Sequence, residues 1–119
     1  METIKSYKDL EVYKKGYKLT LDIYKTTRKY PAEERYEIVS QMRRCAYSIP
    51  LNIAEGWGRK SKLEFKRFLK MSLGSCNELQ VLIELSKDLE YISEKEYIEL
   101  LDRVEIIGKQ IYKLEEKWN

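Results

Sequence analysis

Apolar side chains recur at three- and four-residue steps in four stretches of the chain, and that spacing predicts four amphipathic helices. The first begins between Ser6 and Asp9, either of which can cap it, and runs to about Arg28. Its stripe is Leu10, Tyr13, Tyr17, Leu21 and Tyr24, opposite Lys14, Lys15, Lys18 and Lys25. Gly16 falls inside the pattern at a cost of about 1 kcal/mol and permits close packing. Tyr30-Pro31 ends this helix, and Pro31 with Glu33 and Glu34 suits the first turn of the second, where a missing N–H is harmless and carboxylates favour the positive end. The second helix runs to about Trp57, between Gly56 and Gly58.

Ser61-Lys62-Leu63-Glu64 has the spacing of a capping box and opens a long third helix. Leu63, Phe65, Phe68, Leu69, Ser72, Leu73, Cys76, Leu79, Leu82, Ile83 and Leu89 keep its period, and the small Gly74, Ser75 and Cys76 mark a close crossing. Ser93-Glu94-Lys95-Glu96 is a second capping box, and Tyr97, Leu100, Leu101, Val104, Ile107, Ile111, Leu114 and Trp118 follow it at helical spacing. Short turns between four helices imply an all-α, antiparallel up-down-up-down bundle, one domain over residues 1–119. Ten more apolar residues fall off the stripes: Val12, Leu19, Ile23, Val39, Tyr47, Leu51, Val81, Leu85, Ile98 and Ile106. That surplus exceeds what a small bundle needs at its centre, so the bundle is expected to self-associate.

The stretch from Gln41 to Arg59 organises the rest. Ile38, Met42, Cys45, Ile49 and Ile53 share one side of the helix, and Gln41, Arg44, Ser48, Asn52, Glu55 and Arg59 form a polar stripe beside it. Short Ser48 and Asn52 imply nearby partners, and folding the third helix back brings Ser75, Asn77 and Glu78 level with the stripe. A structural network of Gln41, Arg44, Ser48, Asn52, Glu55 and Glu78 is one reading, with Glu78, or Glu55 of a neighbouring subunit, accepting from Arg44. A pore or groove lined by the same residues is the other. Pro50 sits in the middle, so the helix is either kinked there or stops near Ile49.

Composition then narrows the function. The 119 residues are 36% charged and 43% hydrophobic, with five Gly and two Pro, which suits long helices. Ten tyrosines serve a core edge, an interface or base stacking equally well. The chain has no histidine, and Cys45 and Cys76 are not spaced as a metal pair and are expected as buried thiols. No phosphate-binding glycine loop occurs, so no catalytic residue, metal, cofactor or small-molecule substrate is expected. The N-terminus lacks a signal-peptide core and no run is long enough for a membrane span, which places the protein in the cytoplasm, away from membranes.

A net charge of +3 says little, but residues 59–70 carry six basic side chains and one acidic. Arg59, Lys60, Lys62, Lys66, Arg67 and Lys70, with Arg43 and Arg44 adding to them, are the candidate nucleic-acid footprint, driven by backbone phosphates and weakly sequence-selective. The competing reading is a solvated face, or one neutralised by the acidic fourth helix of the same or a neighbouring subunit.

Ser48-Ile49-Pro50-Leu51-Asn52-Ile53-Ala54-Glu55-Gly56-Trp57-Gly58-Arg59, with Gln41-Met42-Arg43-Arg44 before it and Gly74-Ser75-Cys76-Asn77-Glu78-Leu79 after it, resembles the bacterial four-helix-bundle family of 23S rRNA intervening-sequence proteins, the ribosomal S23-like group. The likeness extends to Tyr7–Tyr13 and Tyr30–Tyr36 and so covers nearly the whole chain. It implies an all-helical subunit in a ring-like homopentamer, encoded near or within inserts in ribosomal RNA genes, with a molecular role never firmly fixed. The accessory variability determinant of diversity-generating retroelements is similar in shape alone. It implies a second expectation, a scaffold or accessory module with a protein partner such as a reverse transcriptase.

Overall fold

The computed structural model describes residues 4–118. Among them are four α-helices, α1 (Glu11–Thr27), α2 (Ile38–Gly58), α3 (Lys62–Asp88) and α4 (Glu94–Lys117), with short 3-10 turns at Tyr7–Asp9 and Ala32–Glu34 and no strand. α2 packs on α1 and on α3, α3 packs on α4, and α4 closes weakly against α1, whereas the backbones of the diagonal pairs stay apart. The result is an elongated body of 44 × 25 × 20 Å.

Two helix starts differ from the sequence expectation, both because a short 3-10 turn is inserted. Ser6 caps only the turn Tyr7–Asp9, and the Asp9 carboxylate accepts from the backbone of Lys5 and Ser6 at 2.9 and 3.1 Å. Those two bonds hold its carboxyl below the usual range. Leu10 is then extended and buried, so α1 starts at Glu11. Likewise Pro31 precedes the turn Ala32–Glu34, and Glu37, at φ −113° and ψ −107°, redirects the chain before α2. The detour lays Tyr30 on Tyr91, ring centres 5.1 Å apart, and turns both Ile38 and Val39 inward.

α2 runs unbroken through Pro50, so the alternative of a stop near Ile49 is excluded. A proline cannot donate to the carbonyl four residues back, and Ala46 oxygen is instead met by the Thr20 hydroxyl at 3.0 Å. The same hydroxyl lies 2.8 Å from Gly16 oxygen. Gly16 makes the approach possible, because a Cβ there would lie 3.1 Å from Ile49 Cγ2 and 3.4 Å from Pro50 Cδ. On the other side Ser72, fully buried, donates to Ile49 oxygen at 2.9 Å.

The inward stripe of α2 is as the periodicity indicates: Ile38, Met42, Cys45, Ile49 and Ile53 are all buried. α1 is different. It buries Val12, Gly16, Leu19, Ile23 and Thr27, and leaves Tyr17 and Leu21 each 52% exposed. The helix carries two apolar stripes, and the one with a glycine and no tyrosine fits against Pro50, while tyrosine keeps its polar tip in water. Val12, Leu19, Ile23 and Val39 are therefore core rather than surplus, and Leu63, expected on the α3 stripe, is 78% exposed. Tyr47, Leu51, Val81, Leu85, Ile98 and Ile106 do lie on the surface.

α3 ends in a Schellman arrangement, Glu90 N–H donating to Lys87 oxygen and Tyr91 N–H to Ser86 oxygen, with Glu90 at φ 64°. The capping box at Ser93 and Glu96 is formed in both directions. Glu96 also pairs with Lys29, just past the end of α1.

Candidate nucleic-acid interface

The candidate surface is built where α2 turns into α3. Gly56 is buried at the crossing, and a Cβ there would lie 2.6 Å from Phe68 Cβ and 3.2 Å from Phe65 Cδ1. Its bare backbone lets α3 return close against α2. Lys60 then takes φ 54°, the left-handed conformation that glycine usually fills at a helix end, and its N–H donates to Trp57 oxygen at 3.3 Å. Ser61 caps α3 by accepting from Glu64 N–H at 3.3 Å.

This tight return sets Trp57 against Phe65 at 5.7 Å between ring centres. Trp118, just past α4, joins them at 6.2 Å from Trp57 and 5.3 Å from Phe65. A cleft of about 520 Å³ opens over the three rings, with Lys5, Lys60 and Lys62 on its rim and no acidic residue among those lining it.

The cations named from the sequence divide into groups. Lys60 and Lys62 are exposed and make no ion pair among the described residues. Lys66 is half-buried on the first turns of α3. Arg59 pairs with Glu55 at 3.3 Å and reaches Glu64 at 3.9 Å, while Arg67 grips Glu64 through two bonds of 3.0 and 3.1 Å. Both guanidinium groups rest on the Phe68 ring, at 5.2 and 4.8 Å. The Arg67 hydrogen bond holds the Glu64 carboxyl below its usual range, and Glu64 in turn pushes Arg67 up. Exposed pairs of this kind contribute only about 0–1 kcal/mol, so a phosphate competes for either arginine. Lys70 reaches Glu115 of α4 at 3.5 Å, the neutralisation by the acidic helix that was the alternative expectation.

Arg43 does not join this group. Its Nε donates to Thr27 Oγ1 at 2.9 Å, its Nη2 to Tyr24 oxygen at 3.3 Å, and its guanidinium lies over the Tyr24 ring. It closes the carbonyl end of α1, where a cation is favoured. Sixteen residues of helix separate it from Arg59, about 24 Å at 1.5 Å per residue.

The polar stripe of α2 resolves into local contacts. Asn52 donates to Ser48 oxygen at 2.8 Å within its own helix, and Glu55 is held by Arg59. Gln41 and Arg44 are exposed. Glu78 is met by the Cys45 thiol, which donates at 3.5 Å, rather than by Arg44, and Ser75 turns back to Met71 oxygen. Burial, then Glu78, push the Cys45 thiol up to about 11, and burial alone pushes Cys76 up to about 12. Among the described residues no three of His, Cys, Asp and Glu converge as a metal site would require, and no helix is long and apolar enough to cross a membrane.

The aromatic floor and Lys5 are what the sequence did not disclose. Trp57 and Trp118 each lie at the end of a periodic stripe, and only their meeting in space makes a shared wall. The fold and this surface define a small all-α protein whose most differentiated feature is a cationic, aromatic-floored end. The chain belongs to the 23S rRNA-intervening sequence protein family, whose model matches residues 8–113. It is similar in fold to a crystal structure of a protein of unknown function from the S23 ribosomal protein family of Bacteroides thetaiotaomicron. The TM-score is 0.78 at 24% identity over 87% of this chain and 96% of that one. Comparison with curated proteins yields no match.

Proposed function

We propose that the chain is a non-catalytic, self-associating subunit, an antiparallel up-down-up-down bundle in the cytoplasm, that binds structured RNA through its phosphates at the α2–α3 turn. The observation that carries the reading is the exposed pair Lys60 and Lys62 beside Lys5, at a turn where α3 begins and no carboxylate lines the cleft. Lys66, Arg59 and Arg67 extend the positive surface along α3. The family's description as 23S rRNA-intervening sequence proteins agrees with an RNA partner. Binding of this kind is backbone-driven and tolerant of sequence.

Self-association is supported by the exposed apolar residues, with Leu51 60%, Val81 66% and Ile98 57% accessible in the isolated subunit. A homopentamer is the assembly that the family resemblance implies. The same apolar surface favours a second reading, a scaffold whose oligomer presents its faces to a protein partner.

The test is a fluorescence-anisotropy titration of labelled structured RNA with the purified protein, with light scattering on the same samples. Binding at low salt that weakens steeply as salt is added supports the first reading. An oligomer that ignores RNA at low salt refutes it and leaves the scaffold. A monomer in light scattering refutes self-association.

A further inference from the structure

We infer that the cleft over Trp57, Phe65 and Trp118 seats an unpaired nucleobase, with Lys5, Lys60 and Lys62 holding the phosphates around it. The inference rests on the RNA reading above and names the part of the RNA that enters.

Three rings from three places in the chain meet with interplanar angles of 81°, 87° and 85°, as the walls of a corner do. Phe65 is buried and forms the floor, while Trp57 and Trp118 are half-buried. A base entering such a corner lies flat on one indole and meets another at its edge, the two geometries aromatic rings prefer. The volume, about 520 Å³, falls within the range of roughly 300–1,000 Å³ typical of small-ligand pockets.

Charge decides between occupants. An apolar side chain from a protein would fill the same corner, but it gives no reason for three lysines on the rim and no carboxylate in the lining. A nucleotide requires both halves of the site, a ring face for its base and cations for its phosphates. Every base offers a π-face, so such a seat selects unpaired over paired nucleotides without selecting sequence.

The chain has two tryptophans, and both line this cleft, so emission excited beyond the absorption of its ten tyrosines reports on the cleft. Full-length protein is titrated at low salt with short oligouridylate, and with an abasic strand of the same phosphate count. The expected result is quenching by oligouridylate and an affinity about tenfold or more above that for the abasic strand. Trp118→Leu, its helicity checked by circular dichroism, is expected to remove most of that ratio while keeping the affinity for the abasic strand. Lys62→Gln, at an exposed site, is expected to weaken both ligands alike. Equal binding of the two strands overturns the base seat and leaves the electrostatic reading standing. If neither strand binds, the electrostatic reading falls with the base seat. Emission that changes with protein concentration alone, and not with RNA, means a second copy of the chain covers the cleft, which also overturns the inference.

Discussion

Gly56→Ala perturbs the crossing that creates the candidate surface, and its cost follows from the structure. The new methyl carbon would sit 2.6 Å from Phe68 Cβ, an atom fixed to the α3 backbone, against the roughly 3.5–4.0 Å of an ordinary carbon contact. Relief requires moving α3 away from α2 by about 1 Å, and overpacking of this kind costs about 3 kcal/mol at the upper end of its usual range. Alanine recovers about 1 kcal/mol of helix propensity, leaving a net loss of about 2 kcal/mol. For a domain of this size that lowers Tm by about 8 °C. Gly58→Ala is the internal control, since nothing lies within 4 Å of its Cβ position, and only the propensity gain of up to about 1 kcal/mol applies. The assay is thermal unfolding by circular dichroism at one fixed protein concentration, because self-association couples Tm to concentration. Gly56→Ala with an unchanged or raised Tm would refute the reasoning, as would a Gly58→Ala loss equal to that of Gly56→Ala.

Other outcomes follow from the same structure. Lys60→Gly is expected to raise stability by about 1 kcal/mol, because glycine fits φ 54° without strain, while weakening RNA binding. Denaturant unfolding and anisotropy on one preparation check both halves, and a destabilised variant contradicts the first. Thr20→Val leaves Ala46 oxygen without the hydroxyl that replaces the proline's missing donor, for a loss of about 1–2 kcal/mol in urea unfolding. No loss would mean that water meets that carbonyl equally well. Both thiols, raised by burial from an ordinary 9.0, keep their protons in the folded chain. The stability they confer is full below about pH 9 and is lost as pH climbs toward the folded values of about 11 and 12. Labelling with a thiol-reactive disulfide at pH 8 should therefore require denaturant, and rapid labelling of folded protein would count against the burial.

The helical period placed all four helices and every residue of the inward α2 stripe, because an apolar face has few ways to hide on a helix this size. It failed on α1, where two stripes compete and the choice depends on Pro50 and Gly16 meeting, a contact visible only after folding. It also missed both 3-10 turns, since Ser6 and Pro31 are good signals for a helix start and do not say how long the segment will last. The basic run around Lys60 and Lys62 could be read from charge density alone, but not that these two lysines stay exposed without an ion pair among the described residues. Arg43 could not be excluded that way, because its partners Thr27 and Tyr24 belong to another helix. Short side chains on the α2 polar stripe suggested partners across the bundle, yet Asn52 is satisfied by Ser48 within its own turn.

The most direct test of an RNA-binding α2–α3 end is the slope of log affinity against log salt for structured RNA, in the native chain and in Lys60→Gln/Lys62→Gln. With Lys5, Lys60 and Lys62 each displacing a counterion, the native slope is expected at about −3 or steeper, and the double variant should be shallower by about 2. Equal slopes in the two proteins, or an affinity that does not fall as salt rises, would contradict the account.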